Sequence, residues 1–388
     1  MSFHAGLAAQ APFGWREPGR LWRVTRGRAS GKDAIPMLDT LTPIGTGLHI
    51  PETLGEDRPY FSAQNPSDVA EAKAYYDAHG YVVLRGLIPR ALCGQVRAVF
   101  DADVRRTTTP LLRQKNMRYE LNEFDESGFL NNPIFNLQDI GSGTLGAFRT
   151  AVLDILTHST TASATSALLG CERSMVIQSM FFEAPAGTWA HQDSYYQDSA
   201  AGLGRCVAGW FALEDIDAGG GRFYVCPGSH RDAPLLRNEG EYNFATGHQA
   251  YQHAMLAMMR SHGLSFTAPY LAAGDVLFWN SLTVHGSLPA SRTGVSRSSL
   301  TAHYLREGDA MLQFHSRIRP QKTMVHNGMT IGLLHDQDEL ANRLVRSVAF
   351  HFPKPYMAVR RLALSALLAK RSVQDAIAVR RRVALTTS

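Results

Sequence analysis

Residues 275–306 read DVLFWNSLTVHGSLPASRTGVSRSSLTAHYLR. Two runs of β-branched and aromatic residues flank a stretch of Pro, Gly, Ser and Thr, which is the pattern of two strands joined by a loop. Upstream, three more runs share that composition: MVIQSMFFEA at 175–184, VAGWFALEDI at 207–216 and GRFYVCPGSH at 221–230. Turn formers separate them. The triple glycine Gly219, Gly220 and Gly221 lacks the strand-to-helix context of a phosphate loop and reads as a hairpin turn. The spacing predicts an antiparallel sandwich or barrel over 174–306, in a chain that is mainly β with flanking helices.

The flanks read differently. Residues 1–65 are rich in Gly, Pro, Arg and Thr without sustained periodicity, which suits an arm or loops over a core. Over 66–173 the chain reads as helical support with a substrate loop: Ser67 caps a helix that ends at Gly80, a strand follows over Tyr81–Arg85, and a second helix starts after Pro89. The segment from Thr107 to Leu145 is polar and aromatic with no clear period, and one helix is expected over Leu145–Leu169. Residues 307–388 read as a basic helical extension, with Leu and Ala on one face and Arg on the other.

Composition removes several function classes. The 388 residues carry a net charge of +5, yet residues 351–388 alone hold eight Lys or Arg against one acid, Asp375. The rest of the chain is therefore close to neutral, and a nucleic-acid footprint is not expected. The longest late apolar run, LALSALLA, is too short to span a bilayer, so no integral membrane segment is expected. Cys93, Cys171, Cys206 and Cys226 show neither disulfide-framework nor zinc spacing; reduced thiols and a cytoplasmic location are the expectation.

The chemistry concentrates in WAHQDSYY, residues 189–196. In extended chain, residues i and i+2 face the same way, so His191 and Asp193 can address one ion while Gln192 points away. His285, at the end of an apolar strand, supplies a third ligand. Two imidazoles and one carboxylate on one face leave the opposite positions open, as in the facial triad of non-haem Fe(II) oxygenases. Arg297 lies twelve residues past His285, at the start of the next strand. If the iron uses 2-oxoglutarate to activate O2, the far carboxylate of that acid needs a fixed cation, and a guanidinium fork provides one. Arg292, inside the turn PASRTG, reads as solvated.

Four blocks together resemble the phytanoyl-CoA dioxygenase family of Fe(II)/2-oxoglutarate oxygenases: GYVVLRGLIP at 80–89, QSMFFEAPAGTWAHQD at 178–193, LEDIDAGGGRFYVCPGSHR at 213–231, and 271–304. The resemblance runs over about residues 68–306. It implies a double-stranded β-helix, a jelly roll of cupin-like type, with iron held by His191, Asp193 and His285. It implies further that Arg297, Gln178 and Ser287 bind 2-oxoglutarate. The activity implied is hydroxylation or another oxidation of an unactivated C–H bond in a small molecule, with specialised metabolism as the setting. Halogenases related to this family replace the carboxylate ligand by a small residue, so Asp193 argues against halogen transfer. One departure is Trp189-Ala190-His191, where relatives often carry tryptophan directly before the histidine.

Trp189, Tyr195, Tyr196 and Trp210 are the candidate substrate-pocket residues, with Phe223 nearby. His230 reads as a turn residue, and His303 faces either the core or a cavity, with core packing favoured. Arg113, Lys115, Arg118 and Arg205 form a basic lid or ordinary surface charge. The C-terminal stretch 356–383 reads as a packed helix with a solvated Arg face, or as a contact for a membrane surface, an acidic partner or a second copy. Rival readings of the whole chain are a cupin-like metal isomerase or hydrolase and a non-catalytic barrel that binds a partner.

Overall fold

The computed structural model describes residues 66–233, 248–314 and 317–360, residue 362, and short strands at 22–24, 41–43 and 61–62. Most of the N-terminal arm and the basic tail beyond 360 thus lie outside the described residues. The core strands are β1 (Tyr81–Arg85), β2 (Ser174–Phe182), β3 (Thr188–His191), β4 (Val207–Ala212), β5 (Phe223–Val225), β6 (Val276–Asn280), β7 (His285–Ser287) and β8 (Ser299–Arg306). One sheet has the antiparallel order β2-β8-β4-β6-β1, and a second has β5-β7-β3. A bridge from Val225 to Thr267 extends the second sheet by one more edge. From β2 onward the chain crosses between the sheets, with one hairpin return at β5. That winding is the double-stranded β-helix.

β4 shows why alternation is hard to read in such a chain. All six of its residues are buried. Ala208, Trp210 and Ala212 pack between the sheets with Phe223 and Trp279, while Val207 and Phe211 pack outward with Phe148, Val152 and Leu156. A strand covered on both faces loses its polar positions. Gly209 has no room for a side chain, since a Cβ there would meet the Phe278 ring at 2.8 Å.

The outer cover comes from helices α1 (Pro66–His79), α2 (Arg90–Val99), α3 (Gly146–Leu156) and α4 (Ser159–Leu169). The end of α1, the bounds of β1 and the start of α2 match the sequence expectation, whereas α1 already begins at Pro66, so Ser67 lies within the helix and not at its cap. The single helix expected over 145–169 is two: the chain breaks at Thr157 and His158, and the His158 side chain caps α4 by accepting from Thr160 N. A helix that the strand reading passed over, α5 (His248–Ser261), buries Tyr251, Met255, Met258 and Met259 against the second sheet. Those positions fall at i, i+4, i+7 and i+8, a helical stripe; each such side chain contributes roughly 1.5–3 kcal/mol on burial.

The region after 306 also differs from the all-helical extension expected. It begins with strands Met311–Gln313, Arg317–Arg319, Lys322–His326 and Met329–Leu333 before helix α6 (Leu340–His351). Met329–Leu333 adds to the edge of β2 in parallel, through Thr330 with Met175 and Ile331 with Val176. The scaffold sheet therefore continues past 306. All four cysteines are free, and no described helix is long and apolar enough to cross a membrane.

Candidate metal centre

Strands β3 and β7 run antiparallel with His191 directly opposite His285, and their ring centroids are 4.3 Å apart. β3 ends at His191. Gln192 stays extended, with φ −117° and ψ 133°, and Asp193 opens a 3-10 turn. The two-residue alternation therefore holds one step past the strand, and Asp193 turns to the same side as His191. Gln192 faces the other way, its amide donating to Leu282 O and accepting from Tyr251 Oη at 2.9 Å. One ligand atom from each of His191, Asp193 and His285 lies within 4.8 Å of the others. Asp193 Oδ1 is 3.8 Å from His191 Nε2 and 3.5 Å from His285 Nε2.

Neighbouring side chains fix these groups. His285 Nδ1 is 2.9 Å from Thr283 O; a carbonyl only accepts, so Nδ1 carries a proton and Nε2 is left facing Asp193. The other carboxylate oxygen, Asp193 Oδ2, accepts from Trp279 Nε1 at 2.8 Å and lies 3.1 Å from His303 Nε2. Burial works against the ionised form of Asp193. The nearness of His285 and His303 outweighs it and holds the carboxyl well below the usual carboxylate range. Beneath the site, Trp210 stacks on Phe223 at 5.4 Å, and Phe223 lies 4.7 Å from Trp279 and 5.6 Å from His285. This aromatic floor fills the barrel and keeps water from the buried side of the triad.

His303 was expected in core packing; it faces the carboxylate instead, a place that only the register of β8 reveals. Trp279 was not singled out from the sequence. Parity was the available signal for His303, which lies an even number of residues past Arg297.

Arg297 is 3% exposed. Its guanidinium donates to Gly221 O, to Leu288 O at 2.9 Å and to Ala186 O at 2.9 Å, and its Nε has no partner. Burial alone pushes its pKa down to about 10. No carboxylate pairs with it among the described residues. A buried cation held only by peptide carbonyls suits an anionic ligand. Gly221 takes φ +74° to present its carbonyl, and a Cβ there would meet Leu288 O at 2.7 Å. The turn bearing Ala186 is anchored through Glu183, whose carboxylate accepts from Leu130 N at 2.6 Å and from Arg105.

The remaining expected residues distribute as follows. Gln178 is the cross-strand partner of His303 and shares its face, toward the barrel interior. Ser287 Oγ lies 2.9 Å from Thr188 Oγ1. Tyr196 is half-buried with its ring edge-on to His191 at 5.9 Å. Tyr195, fully buried, stacks on Tyr251 at 4.0 Å, and Trp210 belongs to the floor. Trp189 lies on β3, and its side chain is outside the described residues. Arg292 pairs with Asp217 at the surface, and His230 Nε2 contacts Asp77 O at 3.2 Å. Of the basic lid, Arg113 is wholly buried and bonded to Glu120 O, Asn132 O and Asn122 Oδ1; it braces its own loop, while Arg118 and Arg205 are exposed.

A family model for phytanoyl-CoA dioxygenase matches residues 76–299, more than half of the chain. No curated protein matches. Among solved structures, the chain is similar to the non-heme alpha ketoglutarate dependent carbocyclase SnoK from nogalamycin biosynthesis, with TM-score 0.48 and 17% identity over 65% of this chain and 89% of that one. The epimerase SnoN from the same biosynthesis gives TM-score 0.47 and 19% identity over 70% and 98%. Iron-bound EctD from S. alaskensis gives 0.45 and 16% over 69% and 84%.

Proposed function

The chain belongs to the phytanoyl-CoA dioxygenase family, and on that premise we propose that it hydroxylates a C–H bond of a small molecule, using iron(II), 2-oxoglutarate and dioxygen. The observation that carries the reading is the convergence of His191, Asp193 and His285 on one point at the barrel mouth. Two imidazoles and a carboxylate form a donor set that fits Fe(II) and leaves positions for the keto acid and O2. When bound, iron with 2-oxoglutarate and O2 supplies a two-electron oxidation, with loss of carbon dioxide from the keto acid.

The residues would divide the work. His191, His285 and Asp193 Oδ1 would hold the metal, and the Trp279 bond to Oδ2 keeps the second oxygen turned away, so the carboxylate offers one ligand atom. Arg297 would take the far carboxylate of 2-oxoglutarate, its fork held in place by three peptide carbonyls before any ligand arrives. Gln178 and Ser287 would supply further hydrogen bonds to that acid. Tyr196, beside His191, would border the substrate. Asp193 fills the position that halogen transfer would need vacant, which supports hydroxylation. For the substrate we infer a specialised metabolite, supported by the breadth of the family.

The test is turnover. Pure protein with Fe(II), 2-oxoglutarate and O2 is expected to release succinate with matching oxygen uptake, and Asp193→Ala is expected to abolish both. Equal succinate release from wild type and Asp193→Ala would contradict the proposal.

A further inference from the structure

Gln192 sits between two ligands and reaches toward the third. Strand β3 stops at His191 and β7 starts at His285, so Asp193 and the turn 281–284 lie beyond the paired residues of the two strands. The spacing there is set by other ties. Ser194 N donates to Ser281 O at 3.0 Å, and the Gln192 side-chain amide donates to Leu282 O, three residues before His285. We propose that Gln192, oriented by Tyr251 from α5, is a positioning residue for the bound metal: its side chain locks the His191–Asp193 segment to the turn that delivers His285. The inference rests on the reading of the triad as a metal centre.

A carboxamide suits this task. Gln192 and Tyr251 are both 0% exposed. A carbonyl only accepts, so Gln192 Nε2 faces Leu282 O, which leaves Oε1 to accept from Tyr251 Oη at 2.9 Å. Flipping the amide would set Oε1 against Leu282 O. Tyr251 thereby fixes which end of the amide meets the turn before His285. Burial raises the Tyr251 phenol well above its ordinary pKa, so it keeps the proton that it donates. The ring is held in its turn by Tyr195, on which it stacks with centroids 4.0 Å apart and planes 4° apart. Tyr195 ends the 3-10 turn that Asp193 opens. Leu282 and Val284 share one apolar cluster with Tyr195, Tyr251, Met255, Met258 and Met259.

The bond bears on the metal because of where it acts. His191, Asp193 and His285 must present three atoms to one ion, and Asp193 Oδ1 lies 3.5 Å from His285 Nε2. A slide of the 191–194 segment past the 281–285 turn changes that separation directly, and a displacement of about 0.5 Å is enough to degrade a ligand set. The Met255, Met258 and Met259 stripe keeps α5 packed whether or not the hydroxyl of Tyr251 is present.

The test is a Co(II) titration of the full chain with a chelator in competition, read by affinity and by the visible ligand-field bands, which report the arrangement of the donor atoms. Gln192→Met keeps the side chain's length and removes both hydrogen bonds; it is expected to bind Co(II) about 10-fold more weakly, with shifted bands. Tyr251→Phe keeps the ring on Tyr195 and is expected to weaken binding about 3-fold. It is expected to add nothing in the Gln192→Met background, because Tyr251 acts through Gln192. Tyr251→Phe alone carries the test if Gln192→Met does not fold. Variants that melt lower yet bind Co(II) with wild-type affinity and bands would have lost stability only and would overturn the proposal, as would additive losses in the double variant. A wild-type chain that binds no Co(II) would overturn the metal reading itself, and the proposal with it.

Discussion

Replacing Trp279 with phenylalanine removes one donor from the metal site while keeping an aromatic ring in the barrel. The indole is 1% exposed, and its Nε1 donates to Asp193 Oδ2 at 2.8 Å. A hydrogen bond to a charged group contributes about 1.5–3 kcal/mol, and outer contacts of this kind commonly shift metal affinity by about 10–100-fold. His303 Nε2 remains 3.1 Å from the same oxygen, so the loss sits at the lower end, about 10-fold. Adding His303→Leu leaves Oδ2 without either contact and should bring the total to about 100-fold. The assay is an anaerobic Fe(II) competition against a coloured chelator. A parallel thermal melt separates out packing lost against Phe223, whose ring centroid lies 4.7 Å from Trp279. Fe(II) affinity within about twofold of wild type, in a folded double variant, would refute the idea that these two side chains position the carboxylate.

Other perturbations give distinct readouts. Arg297→Ala should weaken 2-oxoglutarate binding by more than about 100-fold, because a buried carboxylate would lose its only cation; an unchanged dissociation constant would remove Arg297 from that role. Asp198 accepts from the hydroxyls of Ser194 and Ser281 and from the N–H groups of Ser199, Gly204 and Arg205, pinning the turn after Asp193. Asp198→Asn sets an NH2 group against those donors and should cost about 2–3 kcal/mol, lowering Tm by roughly 3–4 °C in a chain of this size; an unshifted melt contradicts this. Burial raises Asp139 from 3.8 to about 7, so between those values the folded chain keeps a proton that the unfolded chain has lost. Stability should fall as pH rises across that window, and Asp139→Asn should flatten the difference by up to about 4 kcal/mol in denaturant titrations at several pH values. Parallel pH profiles for the two proteins would rule it out.

The parts of this fold that could be read from the sequence are those set by neighbours along the chain. Gly80 and Pro89 punctuate the end of α1, β1 and the start of α2, and the His-x-Asp spacing needs only an extended Gln192 to bring two ligands to one side. His285 could be picked out because it ends an apolar run. What escaped depends on contacts across the fold. His303 and Trp279 reach Asp193 through the register of β8 and β6, and no local pattern encodes that register. Arg113 resembled a surface lid residue until its loop folded back and supplied three oxygen acceptors. The strands over 311–333 carry few of the apolar alternations that mark a strand, since Lys322–His326 lies at a sheet edge and is mostly exposed. The α5 stripe of Tyr251, Met255, Met258 and Met259 was present in the sequence, embedded among strand-like runs.

The most direct measurement is an anaerobic titration of 2-oxoglutarate into the Fe(II)-loaded protein, followed in the visible spectrum. Chelation of the iron by the keto acid should produce a metal-to-ligand charge-transfer band that saturates at one equivalent and disappears when Asp193 or His285 is replaced by alanine. A protein that retains stoichiometric iron and develops no such band would contradict the assignment of His191, Asp193, His285 and Arg297 as an iron and 2-oxoglutarate centre.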